Sequence, residues 1–471
     1  MRISVKKTLL QLISIIVIVN FAGVGSAAVI DLTDDIQMNI DGKFEGMVYF
    51  DAVDNNFYED TLVTDGRLLL NGDVFIESLD TYVKIGAQFR HEIFNGFNNE
   101  SDPDVSMREA YVELRKEKYN FAVGRQIVTW GKLDDSVIVD RINPQDYSHY
   151  ILYDKQERKD PALMMLYKYF NDDVSMEVAY LPFFEPSHVK MFGSDWAMFG
   201  HLLEAVNYGT YTSAQKSAVN SIAISDHDTV TDKSLKNSQV GVRFRGKVND
   251  VDYSLYYMNV YNSVTVLKEK TANGTIVKRF LYAPTDANLS SLVSSNLSAY
   301  DYVLEKVHPR VNVIGADYET VIGEYGFRGE MAFLMGMPFT RQNFSYVEKD
   351  MISVGIGVDH TTASNIYFDL QLVQDYILNY ESLFAQERSP LSVTGTISKD
   401  FLRGKLGLEL DWAFNISYSD WMINPQVSYE VASGVDVKVG SFIFEDGDEP
   451  STLFGKFDEN DVIYVKTGLS F

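Results

Sequence analysis

The chain has 471 residues, with 41 Lys and Arg against 66 Asp and Glu, a formal net charge of −25, and no cysteine. So acidic a chain argues against nucleic-acid binding, which needs a basic face toward the phosphates, and the missing cysteines exclude disulfides, zinc thiolate sites and thiol catalysis. Beyond the first residues no apolar run approaches the roughly 18 that a helix needs to cross a bilayer, yet Tyr and Phe number 29 each and Pro only 11, a profile that many short amphipathic strands produce.

The chain opens with a basic head of Arg2, Lys6 and Lys7, an uncharged run from Thr8 to Gly25, and the small residues Ser26, Ala27 and Ala28. A signal peptidase reads that order. Residues 1–28 are therefore assigned as a signal peptide cleaved near Ala27 or Ala28, and residues 29–471 as the exported protein. The competing reading, an N-terminal membrane anchor, is opposed by Gln11, Asn20, Gly23 and Gly25, which interrupt the apolar run.

From there the pattern is alternation, which sends every second side chain to one face of a strand. Phe44, Gly46, Val48 and Phe50 alternate with Glu45, Met47, Tyr49 and Asp51. Val240, Val242 and Phe244 alternate with Gly241, Arg243 and Arg245, and Leu406, Leu408, Leu410, Trp412 and Phe414 with Gly407, Glu409, Asp411, Ala413 and Asn415. Eighteen such segments are centred near residues 43, 70, 87, 111, 125, 166, 178, 243, 256, 314, 329, 355, 370, 394, 409, 425, 439 and 466.

The links between them alternate too. A transmembrane barrel joins its strands by short periplasmic turns on one side and long loops on the other. The even-numbered links are short, at Asp80-Thr81, Lys118-Tyr119, Asn171 to Asp173, Asn249-Asp250, Glu319-Thr320, Thr361-Thr362, Asp400 to Gly404 and Ser433-Gly434. Most carry the Asn, Asp, Ser or Gly that tight turns favour. The odd-numbered links are longer or more polar and include residues 131–161, 184–238 and 262–308. A soluble β-sandwich or solenoid has no reason to sort its links this way. The expected fold is all-β: a transmembrane antiparallel β-barrel of about 18 strands with long outer loops. Within the fourth outer link, Trp196, Phe199, Leu202, Leu203 and Val206 have helical spacing, which predicts a helix over or into the barrel mouth, or one that only stabilises the rim. The last strand alternates Ile463, Val465, Thr467 and Leu469 and stops on Phe471, resembling the terminal signal that barrel assembly machinery reads.

Gly124-Arg125-Gln126-Ile127-Val128-Thr129-Trp130-Gly131, followed by Ile142-Asn143-Pro144-Gln145-Asp146 and Lys159-Asp160-Pro161, resembles a porin-like outer-membrane family long labelled only as a domain of unknown function. The resemblance covers about residues 105–170 well and the rest only as a barrel pattern. It implies a link to export or uptake of lipid-like or other hydrophobic molecules. On the residues themselves, Trp130, Gly131, Asn143 and Pro144 sit in an outer link that can fold inward and constrict a lumen, where proline costs no ladder hydrogen bond. The equal alternative is an interfacial belt tryptophan and an ordinary Asn-Pro turn.

With apolar faces toward lipid, the alternating partners face the lumen. Arg243, Arg245, Lys247 and Arg328 then stand on one wall, with Asp41, Glu45, Glu409, Asp411 and Glu430 roughly opposite, a transverse field that would orient polar or zwitterionic solutes. Lys43, Arg90 and Glu330 dilute this sorting, and simple solvation of a wet barrel is the competing account. The acidic outer loops at Asp51 to Asp60, Glu445 to Glu449 and Asp458 to Asp461 match no calcium-loop spacing; solvated loops are favoured over bridges through divalent ions to lipopolysaccharide. No nucleophile, metal or phosphate motif is present, so no enzyme, cofactor or metal is expected.

These readings point to the Gram-negative outer membrane and to a porin-like channel for small or amphipathic solutes, as a monomer or a homotrimer. Its expected partners are outer-membrane lipid, lipopolysaccharide and the assembly machinery. The alternatives are a selective transporter of hydrophobic molecules, and a rim hydrolase or surface receptor.

Overall fold

The computed structural model describes residues 28–52, 62–95, 99–134, 136–225, 230–298, 301–447 and 454–471. Residues 1–27 of the expected signal peptide and parts of two acidic loops lie outside them.

Eighteen antiparallel strands form one closed ring. They are β1 (Ile36–Asp51), β2 (Val63–Ile76), β3 (Thr81–Asn95), β4 (Asn99–Arg115), β5 (Tyr119–Gln126), β6 (Ala162–Asn171), β7 (Val174–Leu181), β8 (Gln239–Val248) and β9 (Val251–Tyr261). The ring continues through β10 (Arg310–Ile322), β11 (Tyr325–Thr340), β12 (Tyr346–Thr361), β13 (Ile366–Ile377), β14 (Leu391–Phe401), β15 (Leu406–Asn415), β16 (Asp420–Ala432), β17 (Val435–Glu445) and β18 (Val462–Ser470). Each strand pairs with its neighbours in sequence, and β18 closes on β1 from Lys43 opposite Ser470 to Asp51 opposite Val462. Closure removes every exposed edge within the ring, so a bilayer meets no unpaired backbone. No helix among the described residues is long and apolar enough to cross a membrane.

All eighteen sequence centres fall within these strands. The one misplaced turn is the fifth short link. The chain turns at Gly323-Glu324 rather than Glu319-Thr320, because Ile322 still pairs with Tyr325 and Gly323 supplies the positive φ of +66° that a two-residue turn needs. Apolar residues face out: Ile314, Ile356 and Leu408 are 54%, 53% and 42% exposed, whereas Val313 and Met258 on the other face are buried.

At the seam, Phe471 exchanges both backbone hydrogen bonds with Gly42, at 2.8 and 2.9 Å, and its ring occupies the space a side chain on residue 42 would fill. Beyond it, Ala28–Thr33 pairs with the first residues of β1 as a short extra strand.

On the long-loop side, the links 182–238 and 262–309 build a cap. It holds helices Leu202–Tyr208, Ser213–Asn220, Ala272–Tyr282 and Asp286–Ser294 and a three-stranded sheet of Val266–Glu269, Tyr302–Val307 and Ala223–Ser225. The helix expected from Trp196 starts only at Leu202; Trp196 itself precedes it in a turn and packs inward on Tyr49, Phe444 and Phe457.

Candidate functional site

Residues 127–161, between β5 and β6, fold into the ring and cross it. The loop first closes on itself. The Asn143 side chain accepts from the Val128 amide at 2.9 Å and donates to the carbonyls of Gln126 (2.9 Å) and Asp160 (2.8 Å), bridging both roots of the loop. Lys159, 1% exposed, sits 2.5 Å from buried Asp140 and also donates to Val128 O and Thr129 Oγ1 at 3.2 Å. Both charges are covered, so removing Asp140 leaves Lys159 buried without its carboxylate, which is costly, whereas Asp140 also has Lys155 at 3.9 Å.

The loop's tip packs on the inner faces of β7 to β12. Trp130, 1% exposed, donates its indole N–H to Glu177 at 3.2 Å and rests on Gly241, where a Cβ would come within 2.7 Å of the ring. Val139 fits against Gly315, and Leu133 and Ile138 against Gly355, so a glycine-thinned wall admits the apolar tip. Glu330 on β11 then acts as a peg. Its carboxylate accepts from the amides of Lys132 (2.5 Å), Leu133 (2.7 Å) and Val139 (3.4 Å). Gly131, at φ +94°, makes room for it, since a Cβ there would lie 2.5 Å from Glu330 Oε1.

The other half of the loop reaches the opposite walls. Arg90 on β3 meets Asp65 (3.1 Å), Asp146 (3.2 Å) and Glu92 (3.4 Å), and His149 of the loop is wedged between Arg90 (2.8 Å) and Glu92 (2.6 Å). Burial holds the His149 imidazole below the usual histidine range. Tyr153 donates to Asp65 and lies under Arg67, 3.5 Å from its ring centre. Glu157 joins Lys466 of β18 at 2.9 Å, and Asp160 joins Arg108 of β4 at 2.8 Å.

Trp130, Gly131, Asn143 and Pro144 thus all belong to this inward loop. Of the charged residues singled out on the strands, Arg243 lies 2.7 Å from Glu177, and Arg328 pairs with Asp369 and, at 2.7 Å, with Asp134. Lys247 is 3.8 Å from Asp252, and Arg245 is exposed nearer the turns. Asp41 accepts from Asn71 at 2.8 Å and Glu45 pairs with Lys43 at 2.5 Å. Gln426 bridges Glu409 and Asp411, while Glu430 is exposed near the end of β16. The simple division into a basic and an acidic wall therefore changes: both arginines of the basic wall that bear on the loop have an acid beside them. An open cavity of about 470 Å³ lies on β4 to β6 between the turns and the loop root, lined by Glu109, Glu113, Arg115 and Lys168 among others. At the outer rim, Glu445, Asp446 and Asp458 bring carboxylate oxygens within 4.8 Å of one another.

The sequence singled out none of Glu177, Glu92 and His149, and Arg90 and Glu330 only as lumen charges that dilute the sorting, not as anchors. Their signal is weak: a single inward carboxylate on an alternating strand looks the same whether it meets water or a loop.

A family model described as "Protein of unknown function (DUF1302)" matches residues 28–467. No curated protein matches the chain. Among solved structures, the chain is similar to Acinetobacter baumannii OccAB1, at 9% identity, covering 93% of this chain and 97% of that one with a TM-score of 0.53. It is also similar to Pseudomonas aeruginosa OpdK with vanillate (8%, 92% and 98%, TM-score 0.49) and to Salmonella typhi OmpF in complex with daunomycin (10%, 94% and 100%, TM-score 0.45). At such identities OccAB1 speaks for the fold alone, which it shares: a closed 18-stranded antiparallel β-barrel. With the family model spanning nearly all of the described barrel, the chain belongs to the DUF1302 family of proteins of unknown function.

Proposed function

We propose that the chain is an outer-membrane channel of porin type that passes small or amphipathic solutes. The observation that carries this reading is the loop 127–161, held across a closed ring with an apolar exterior, so that it narrows the lumen at a fixed place. In this reading Trp130 and Gly131 are constriction residues at the loop tip, and Asn143 and Pro144 shape its root. Purified full-length chain in planar bilayers tests the proposal. Discrete single-channel steps are expected, and a silent bilayer at every voltage rules out the open-channel reading.

A second reading, selective transfer of hydrophobic molecules, draws on one feature. The inner faces of β6 to β10 carry Met164, Leu166, Leu181, Met258 and Val313, all buried beneath loop and neighbours. Apolar lining of that extent is unusual in a water-filled lumen, and movement of the loop would bare it. A fluorescent fatty acyl probe that binds the silent barrel with micromolar affinity, and loses that affinity in Met258→Asp, would favour it.

A further inference from the structure

We infer that the cavity on β4 to β6 binds a small organic monoanion, a carboxylate with an apolar body. Any role of that site in transit rests on the channel reading above; the binding itself does not. Strand register builds the hollow. Arg115 on β4, Asn120 on β5 and Lys168 on β6 stand abreast, because Arg115 pairs with Asn120 and Asn120 with Lys168. One pleat nearer the loop, Glu113, Ala122 and Leu166 form the next row, and Tyr111, Gly124 and Met164 the row after that. The middle strand thus carries only Asn, Ala and Gly on its inward face, and the cavity of about 470 Å³ is the space these short side chains leave between β4 and β6. A hollow of that size falls in the range of small-molecule sites.

The acids around it are already answered. Glu113 accepts from Arg115 Nε at 2.7 Å and from Asn120 at 3.2 Å. Glu109 accepts from the Ile127 amide at 3.1 Å and pairs with Lys84 at 2.9 Å. Glu177, opposite Lys168 on β7, is within electrostatic reach of it, but its oxygens are taken by Arg243 at 2.7 Å and the Trp130 indole at 3.2 Å. Glu109, Glu113 and Glu177 therefore stand against Lys84, Arg115, Arg243 and Lys168, which leaves one positive charge in excess. Lys168 carries it: half-buried at the cavity wall, it has no hydrogen bond or ion pair among the described residues. Arg115, with its guanidinium 4.0 Å from the Tyr82 ring centre and only Nε spent on Glu113, adds a second attraction across Asn120. An ammonium in such a recess favours one carboxylate, through a charge-assisted hydrogen bond. Tyr111, Leu166 and Ile127 line the same cavity and offer the apolar wall for the rest of the molecule.

Titration of para-fluorobenzoate into the full-length barrel in a nonionic detergent, followed by the fluorine line width, tests this. Saturable broadening is expected for the acid and none for the neutral para-fluorobenzamide. Equal binding of the two, or no saturable binding of the acid, overturns the inference. Lys168→Gln should weaken binding by about tenfold or more, the usual worth of one charge-assisted hydrogen bond, and Lys168→Arg should restore it. Arg245→Gln removes an exposed cation nearer the turns and should leave binding as it was. Loss in Arg245→Gln with binding retained in Lys168→Gln puts the anion elsewhere in the lumen and overturns the site. Leu166→Trp fills the hollow from its apolar side with every charge in place. It should abolish binding, and a Leu166→Trp barrel that binds as before overturns the site even where the Lys168 variants fail to assemble. Binding alongside a silent bilayer supports the site and removes the channel reading alone, whereas conduction without binding removes the site alone.

Discussion

The loop that crosses the lumen and the cap that stands on the outer rim are both long insertions between strands, yet they are held by opposite means. The cap has an apolar core of its own, with Val219, Leu267, Val277, Phe280, Leu289, Leu292 and Leu304 almost wholly buried against one another. The lumen loop has no such centre. Its apolar residues Val128, Trp130, Leu133, Ile138, Val139 and Ile142 are buried in a cluster shared with inward residues of the strands, and its backbone and charges are tied to side chains of the strands. A cap with its own core can loosen without disturbing the barrel, whereas every anchor of the lumen loop is also part of the wall.

The sharpest way to break this contrast is at Gly131. A Val there must adopt φ +94° and would drive its Cβ into Glu330. Backbone strain together with an unsatisfied buried carboxylate should cost roughly 3–5 kcal/mol in loop docking. Gly131→Val should therefore release residues 127–161 to added protease and raise single-channel conductance, while the barrel keeps its heat-modifiable migration in detergent gels. An unchanged cleavage pattern would mean that Glu330 is not the peg.

The matching change in the cap is Leu292→Ala. Removing a fully buried leucine side chain should cost about 2–5 kcal/mol within the cap. Hydrogen exchange should accelerate across residues 262–309 and leave both the strands and the conductance as they were. Spread of the faster exchange into the lumen loop would contradict the independence of the two regions.

A smaller effect is expected at Lys278, which is 1% exposed in the cap and donates to Leu267 O at 2.9 Å beside Glu269 at 3.2 Å. Burial lowers its pKa from the ordinary lysine value. The charged form is thus disfavoured in the folded cap, and that penalty is present below the folded pKa and relieved as pH rises toward the unfolded value. Cap stability should climb as pH rises toward about 10.5, and Lys278→Met should flatten that climb. An identical slope in the variant would assign it to other groups.

The ring was legible in the sequence because period-two alternation and the sorting of short and long links are both local features. Strands as short as β5 and β7 were found this way. The turn at Gly323-Glu324 was missed because Glu319 and Thr320 offer turn-like polarity four residues early, and only pairing decides between them. The inward course of residues 127–161 was one of two balanced readings, since Asn143-Pro144 fits a surface turn as well as a loop root. What remained hidden was pairing across the lumen. Glu330 and Gly131 are 199 positions apart, and nothing in either stretch announces the other. The sorting of charges by wall was visible as placement, but the neutralisation of Arg243 by Glu177 requires neighbouring strands in register, and that of Arg328 by Asp369 requires β11 and β13 to be in register across β12.

The last contrast concerns acid. His149 is the imidazole in the lumen loop's anchor, 3% exposed, and its hydrogen bonds suit the neutral ring: Arg90 donates to Nδ1 while Nε2 donates to Glu92. A second proton would set an N–H against the Arg90 guanidinium. Glu92 would gain a full counter-charge, and Asp65 lies in reach, yet burial outweighs both and keeps the folded pKa depressed. The sign follows. The unfolded loop takes up a proton below about pH 6.5 while the folded loop resists it, so docking is fully stable above that value and weakens as pH falls toward the folded pKa. The loss should be small beside that of Gly131→Val. Hydrogen exchange of residues 145–153 should therefore quicken between pH 7 and pH 5 in the native chain. In His149→Gln, which keeps a donor and an acceptor but cannot titrate, the exchange rates corrected for intrinsic pH dependence should stay level across that window. If the variant loosens with acid as the native loop does, the anchor's pH response belongs to its carboxylates and not to His149.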